Sequence, residues 1–342
     1  MATAKILPSG QYRCRAYVGT VNGKKIIKSF TAPTKAQAEY LASQYILKKP
    51  LQGTCDSMTF GEALEKYISG RESVLSPATI RGYRQYADHN FDKIKDRLLE
   101  DLTQDDIQNF VNDACESGLS SKTVRNIHGL ISAVFKKYRK MHLDTTLPAK
   151  VKPDLYIPSD KEVVKVISYV RAKKDRDMLI AILLAAYGPM RRSEICALTD
   201  ADVSGDVIHV NKARVHKHDN TWTIKHYPKT EAGDRFISMP AFVIKELKGI
   251  KGPLVSLTPD LITDYFAQIL KRAGVPHFRF HDLRHYSASI QHAIGIPDAY
   301  IMQRGGWESD TVLKQIYRHA MDQETKKNND KVNKYFSKIQ NS

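Results

Sequence analysis

The stretch R-R-S-E-I-C-A-L at residues 191–198 is followed later in the chain by H-D-L-R-H at 281–285 and by Y-R-H at 317–319. These segments place arginines, histidines and a tyrosine hydroxyl in the second half of the sequence. A phosphate bound among them would meet fixed positive charge and donors directed at its equatorial oxygens, where charge accumulates in the transition state. A nearby phenol could then attack the phosphorus and hold the phosphoryl group covalently. The segments therefore favour a site that breaks a phosphodiester without a metal ion.

The bulk composition points to a polyanionic partner. The chain has 342 residues, which is enough for two or three domains. Its formal net charge is +16 and its isoelectric point is near 9.5. A balance this basic favours nucleic acid or an anionic membrane surface. The longest apolar run, at 178–187, has ten residues, about half of what a spanning helix needs, so we expect no membrane.

The cysteines give no sign of a metal site. Cys14, Cys55, Cys115 and Cys196 are far apart and lack metal-ligand spacing. We read them as reduced thiols of a cytoplasmic protein that has no signal peptide. We therefore expect neither a metal nor a cofactor.

Residues 1–50 form the most basic segment, with nine Lys and Arg against one acid. Alternation over 11–18, the turn V-N-G-K at 21–24 and the run 25–30 predict a hairpin, followed by a helix over 35–47. A solvated basic face would explain the charge, but cations on a small ribbon suit a DNA groove. We favour DNA contact, with candidate contact residues Arg13, Arg15, Lys24 and Lys25.

Residues 58–145 predict a bundle of four short helices. T-F-G-E at 59–62 is a capping box, and further starts fall at Ser76, Thr103 and Ser120. Basic side chains off the apolar stripes are available to phosphates. With thirteen basic and thirteen acidic residues, however, the segment would bind DNA poorly alone, and solvated faces are the other reading. The candidate contact residues are Arg81, Arg84, Lys122 and Arg125.

Residues 158–342 predict a mainly helical domain with a small sheet. It opens with the capping box S-D-K-E at 159–162, and strands are expected at 207–210, 221–227 and 235–239. An apolar stripe of four residues marks a C-terminal helix that docks on its own domain or on a partner: Val332, Tyr335, Phe336 and Ile339. The chain as a whole is thus expected to be a multidomain α+β protein.

Five motifs in the second half closely resemble the signatures of the tyrosine recombinase (integrase) family, of the phage and conjugative-transposon integrase type. Their order, spacing and flanks all fit. They are R-R-S-E-I-C-A-L (191–198), P-K-T-E-A-G-D-R (228–235), H-D-L-R-H-Y-S-A-S (281–289), G-G-W (305–307) and Y-R-H (317–319). The resemblance implies an arm-type DNA-binding domain at 1–50, a SAM-like core-binding domain at 58–145, and a catalytic domain at 158–342 with a C-terminal exchange helix.

The resemblance also implies which residues bind the phosphate. Arg191 and Arg284 match the two catalytic arginines, and two guanidinium forks can grip both non-bridging oxygens. Glu194 lies three residues after Arg191, a helical spacing that places its carboxylate beside the guanidinium and predicts an orienting role. Arg192 is expected to be a plain surface cation. Trp307 occupies the His/Trp position, with an indole N–H for a phosphate oxygen.

The remaining family positions carry proton transfer and nucleophilic attack. Lys229 matches the lysine general acid that protonates the leaving 5′ oxygen, with Lys225 as the competing candidate. His281 opens a helix one turn before Arg284 and assists proton transfer or donates to the phosphate, while His285 is expected on another face. Tyr317 matches the nucleophile. Two local departures from the pattern, Gly188-Pro189-Met190 and Gly305-Gly306, lie beside the site.

The family resemblance implies a site-specific DNA recombinase that integrates and excises a mobile element. The enzyme would cut and rejoin double-stranded DNA through a 3′-phosphotyrosyl intermediate without metal or ATP. Its partners would be core and arm attachment sites, four copies of itself exchanging strands through a Holliday junction, and accessory proteins that bend DNA or set direction. It would act in the cytoplasm of a bacterial host, on the nucleoid.

Three other classes stay open. A topoisomerase-like enzyme of type IB would use similar chemistry, but it has no use for an arm-binding module. A DNA-binding protein without catalysis would not need the complete residue set. A metal-dependent transposase would need a carboxylate cluster, which we cannot assemble from this sequence.

Overall fold

The computed structural model describes residues 3–21, 24–47, 58–151, 156–226 and 233–310, together with single positions at 313, 314, 333, 336, 337 and 339. The chain divides into two compact units, residues 1–152 and 153–342. Within the described residues, no helix is both long and apolar enough to cross a membrane.

The first unit begins with a three-stranded antiparallel sheet covered by one helix. Strands β1 (Lys5–Ile6), β2 (Tyr12–Val21) and β3 (Lys24–Ala32) pair in chain order, and helix α1 spans Lys35–Leu47. Cys14 and Ala16 alternate toward the helix and are buried against its alanines. Because successive strand residues face opposite sides, Arg13 and Arg15 lie on the uncovered face.

Four helices with their own apolar core complete this unit. Thr59 and Glu62 cap the first of them reciprocally: the Thr59 hydroxyl accepts from the Glu62 N–H at 3.1 Å, and the Glu62 carboxylate accepts from the Thr59 N–H at 2.8 Å. Phe60 is fully buried and meets the Phe91 ring at 5.2 Å between centroids. The helices are α2 (Phe60–Ser69), α3 (Pro77–His89), α4 (Gln104–Glu116) and α5 (Ser121–Tyr138).

The second unit is built around one helix that is apolar on all sides. Helix α7 (Arg176–Tyr187) carries the ten-residue apolar run, and every residue from Met178 to Ala186 is buried. A helix of this kind belongs in the centre of a core. The other helices among the described residues of this unit are α6 (Asp160–Ala172), α8 (Arg192–Ile195), α9 (Ala241–Leu247), α10 (Pro259–Ala273), α11 (Asp282–Ala293) and α12 (Asp298–Gly305).

Two small antiparallel sheets accompany these helices in the described part of the second unit. Strands β4 (Val203–Ser204), β5 (Val207–Val210) and β8 (Arg235–Ser238) form one sheet, while β6 (Lys212–His216) and β7 (Trp222–His226) form a hairpin. The three predicted strands of this unit are confirmed. We did not predict strand β6. Its residues alternate, but one side carries Lys212, Arg214 and His216 and so lacks an apolar signal.

Candidate active site

Arg191 stands at the N-terminus of α8, where Glu194 holds it in place. The Glu194 carboxylate accepts from the Arg191 backbone N–H at 2.8 Å and from the guanidinium Nη1 at 2.7 Å. The contact that the spacing predicted is therefore present. Arg191 Nη2 donates to the carbonyl of Gly306 at 2.7 Å, and about a third of its side chain (36%) stays exposed to meet a ligand.

Arg235 is a buried partner of Glu194 that our sequence analysis missed. It donates to both carboxylate oxygens, at 3.3 and 2.8 Å, and its side chain is only 2% exposed. Burial opposes ionisation of Glu194, but Arg235 and then Arg191 outweigh that effect and hold the carboxyl pKa below its ordinary value. A signal did exist: in β8, Arg235 alternates with exposed Phe236 and so shares the inward face of Ile237.

Arg284 lies almost completely buried, with 1% of its surface exposed, against Trp307. Its guanidinium carbon is 3.8 Å from the centroid of the Trp307 ring, and Nη1 donates to the carbonyl of Pro189. Stacking on an aromatic face suits the planar guanidinium. Trp307 and the segment before Arg191 therefore position the second arginine together.

Both departures from the family pattern have a physical reason here. A Cβ on Gly305 would lie 1.9 Å from Cζ3 of Trp307, so the indole packs where a side chain would otherwise stand. Gly306 adopts a left-handed conformation with φ of 66°, which ends α12 and lets its carbonyl face Arg191. A Cβ on Gly188 would meet the Leu184 carbonyl at 2.9 Å.

His281 precedes α11 beside Arg284. Although the residue is exposed, packed protein desolvates its imidazolium, and His285 and Arg284 repel the charge, so the pKa of His281 falls to about 4. The ring is therefore neutral near pH 7. Its centroid is 4.9 Å from that of His285, so our expectation that His285 lies on another face is wrong. Residues one helical turn apart share a face.

Two predicted catalytic residues lie outside the described residues: Lys229 and Tyr317. Lys225, the competing candidate for the lysine, is half-buried in β7 opposite Ala213. Another tyrosine near Trp307 in the sequence, Tyr300, is 65% exposed on α12. The structure thus brings together Arg191, Glu194, His281, Arg284 and Trp307, while the roles of all seven residues stay predictions.

Arg192 is more than the plain surface cation that we expected. Its guanidinium donates to the Thr263 hydroxyl and, at 3.3 Å, to the Pro259 carbonyl in the first turn of α10. It therefore links α8 to α10.

The predicted DNA contacts of the helical bundle differ in their availability. Arg84 is paired with Glu65 and Glu72, and Arg125 donates to the Pro148 carbonyl at 2.8 Å, so a phosphate would have to compete for both. Arg81 is half-buried and Lys122 exposed. In the sheet, Arg15 is exposed and Arg13 half-buried, and the side chains of Lys24 and Lys25 lie outside the description. All eight stay predictions.

In the described part of the chain, no group of three or more His, Cys, Asp or Glu could hold a metal ion. The recognisable chemistry of the cluster is that of anion-binding cations.

Residues 159–324 match the phage integrase family, and this stretch contains every predicted catalytic residue. The matched stretch is thus a phage integrase family domain, and together with the similar proteins below it supports a tyrosine recombinase of the phage and transposon integrase type. Along most of its length, the chain is similar to "Tyrosine recombinase XerC-like" from Caldanaerobacter subterraneus subsp. tengcongensis. The two are 23% identical over 91% of this chain and 92% of that protein.

Solved integrases share the fold of this chain. The Tn1549 transposon integrase in complex with transposon right end DNA has a TM-score of 0.64 and 18% identity, covering 78% of this chain and 99% of that one. A lambda integrase in a tetramer bound to a Holliday junction has a TM-score of 0.59 and 17% identity, covering 92% and 94%. This likeness shows an integrase-like fold, mainly helical with small antiparallel sheets.

Gly305→Ala should loosen the packing of Trp307 on Arg284. Because the new methyl group would overlap the indole, we expect a loss of roughly 1–3 kcal/mol in the free energy of unfolding. Urea titration measures this, and tryptophan emission in a Trp222→Phe background reports on Trp307 alone. The control is Gly129→Ala in α5, where a Cβ meets open space and a gain of about 0.5–1 kcal/mol is expected. Equal effects of the two substitutions would contradict this packing.

His285 should make the protein less stable in acid. Burial lowers the pKa of His285 to about 4, well below the ordinary value of 6.5, so the unfolded chain binds the proton more readily. The contribution of this residue to the free energy of unfolding is present above pH 6.5 and is lost as the pH falls toward 4, by roughly 3 kcal/mol. His285→Gln should therefore flatten the pH dependence of urea unfolding, and an unchanged dependence would reject the assignment. Part of the pH dependence would remain in this variant, because the pKa of His281 is lowered similarly.

Proposed function

We propose that this recombinase is a site-specific enzyme that cuts and rejoins the DNA of a mobile element through a 3′-phosphotyrosyl intermediate. The single observation that carries the proposal is the convergence of Arg191, Arg284, His281 and Trp307 on one place in the second unit. Phosphoryl transfer depends mainly on positioning and charge stabilisation, and this cluster offers both.

The two arginines would hold the scissile phosphate. Arg191 keeps an exposed fraction of its guanidinium, and Arg284 is fixed by Trp307 and the Pro189 carbonyl. Fixed cations need no reorganisation as charge develops on the equatorial oxygens. A neutral His281 beside them can accept a proton from a tyrosine hydroxyl or donate an N–H to a phosphate oxygen.

The covalent step would use the two residues outside the described part. The Tyr317 oxygen attacks phosphorus as the bond from phosphorus to the 5′ oxygen breaks, and Lys229 gives that oxygen a proton. The products are a 3′-phosphotyrosyl bond and a free 5′ hydroxyl. Rejoining reverses the step with a hydroxyl from the same or a partner duplex. Because the covalent bond conserves the phosphodiester energy, no ATP is required.

The first unit would supply further DNA contact. Arg13, Arg15 and exposed Tyr17 share the sheet face that α1 leaves uncovered, which supports an arm-binding role for residues 1–50. For residues 58–145 we propose core-site binding, in which Arg81 and Lys122 are the more available cations. Residues 158–342, which make up most of the second unit, would be the catalytic domain. Both the arm and the core sites would be double-stranded DNA.

We further propose that four copies assemble on DNA and exchange strands in pairs through a Holliday junction. The lambda integrase with the same fold supports this, since it is a tetramer bound to such a junction. The predicted C-terminal exchange helix, with Val332 and Tyr335, lies largely outside the described residues. Phe336 and Ile339 are described and exposed, at 62% and 56%. Accessory bending proteins and a bacterial cytoplasmic setting complete the proposal.

Tyr317→Phe should still bind DNA but form no covalent adduct. The full-length protein is incubated with nicked DNA carrying the ends of the element, so that the cleaved fragment diffuses away and traps the intermediate. Wild type should give a protease-sensitive adduct whose DNA-linked peptide contains residue 317. The matched control is Tyr300→Phe, which removes an exposed hydroxyl from α12 and should leave the adduct intact.

An undiminished adduct in Tyr317→Phe would reassign the nucleophile. Relaxed plasmid without recombinant product in the wild-type reaction would favour a topoisomerase.

Arg13→Ala combined with Arg15→Ala should lower the salt dependence of arm-site binding. Each lost phosphate contact reduces the slope of log K against log salt concentration by roughly 0.9. Full-length protein is titrated with fragments of the element's ends at several salt concentrations. Lys35→Ala, at the exposed start of α1 on the covered side of the sheet, serves as the control and should leave the slope unchanged. A double variant with the wild-type slope would show that this face does not touch DNA.

A further inference from the structure

A buried guanidinium completes the setting of Arg191. Each of the three guanidinium nitrogens of Arg235 donates a hydrogen bond. Nη1 and Nη2 donate to the two oxygens of Glu194, and Nε donates to the carbonyl of Arg304 at 3.0 Å. A cation held this firmly in the interior must be matched by negative charge and hydrogen bonds. Glu194, which is itself fully buried, supplies that charge.

The arrangement of charges around Glu194 has a consequence for Arg191. The carboxylate accepts four hydrogen bonds, two from Arg191 and two from Arg235. If Arg191 were its only partner, the carboxylate would cancel the charge that Arg191 offers to a phosphate. With Arg235 present, two cations share one anion, so the cluster keeps a net positive charge at its exposed end.

Arg235 also joins the two halves of the site. The Arg304 carbonyl that it binds lies at the end of α12, and Arg191 binds the carbonyl of Gly306 two residues later. Trp307, on which Arg284 stacks, follows directly. A shift of Arg235 would therefore disturb the alignment of Arg191 relative to Arg284.

We propose that Arg235 is a positioning residue for strand cleavage, whose buried charge balances Glu194 so that Glu194 orients Arg191 without neutralising it. The inference rests on the proposed cleavage reaction. Arg235 does not touch the substrate, and its effect passes through the charge and geometry of Arg191.

The test compares cleavage of a normal phosphate with cleavage of a methylphosphonate at the scissile position. A methylphosphonate is uncharged, so a defect in neutralising the phosphate matters less on it. Single-turnover adduct formation is measured for Arg235→Met, Arg235→Lys, and Glu194→Gln combined with Arg235→Met. The control is Arg171→Met, which removes an exposed arginine–glutamate pair with Glu246.

Arg235→Met should bind DNA normally but cleave the phosphate about 100-fold more slowly, since small displacements of a catalytic group cost rates of this order. The defect should shrink on the methylphosphonate. The double variant should recover part of the loss because the uncompensated carboxylate is gone. Arg235→Lys, which keeps the charge, should also recover part of it, and Arg171→Met should match wild type.

Some results would overturn the inference. These are cleavage by Arg235→Met at the wild-type rate, an equal defect on the phosphate and the methylphosphonate, or a double variant that cleaves more slowly than Arg235→Met alone. If Arg235→Met does not fold, Arg235→Lys and the double variant carry the test. A folded lysine variant with an undiminished defect on the methylphosphonate then rejects the charge argument. A wild-type protein that forms no adduct overturns the proposed function and this inference together.

Discussion

The carboxylate of Glu194, enclosed between two guanidinium groups, is the interaction on which the rest of the site depends. A buried charge is unfavourable unless it is paired and hydrogen-bonded in a well-defined geometry. The Glu194 carboxylate therefore holds its two partners, Arg191 and Arg235, in defined positions. It determines where α8 begins, where β8 lies and how the turn after α12 is held. Packing then requires the two glycines at 305 and 306. The indole of Trp307 occupies the space that a side chain at Gly305 would need, and Gly306 adopts a left-handed conformation.

The environment of the phosphate-binding groups explains their chemistry. Aromatic stacking and a carbonyl hold Arg284 without adding negative charge, while Arg191 keeps an open side. Desolvation by the packed protein, and then the neighbouring positive charge, lower the pKa of His281 and keep it neutral before any ligand arrives. The site is therefore prepared for an anion in its resting state, which is the condition for electrostatic preorganisation.

Signals within a few residues of each other predicted the helices and most strands well. Contacts between residues far apart in the sequence could not be predicted in this way. Capping boxes at Thr59 and Ser159 and the apolar run of α7 located helices, because these signals act within a few residues. The alternation in β8 placed Arg235 on an inward face, but periodicity cannot say that a glutamate 41 residues away faces it. The same limit hid the pairing of Arg84 with Glu72. Lys229 and Tyr317 rest on motif order alone.

The division of the chain near residue 152 has a consequence for its synthesis. Each unit is a continuous stretch of sequence with its own core, so the first can complete its folding while the ribosome is still making the second. If the first unit binds DNA as proposed, it would be able to do so before any of the proposed catalytic residues is translated. A prematurely terminated chain would then be a competitor for the attachment sites, unable to damage them.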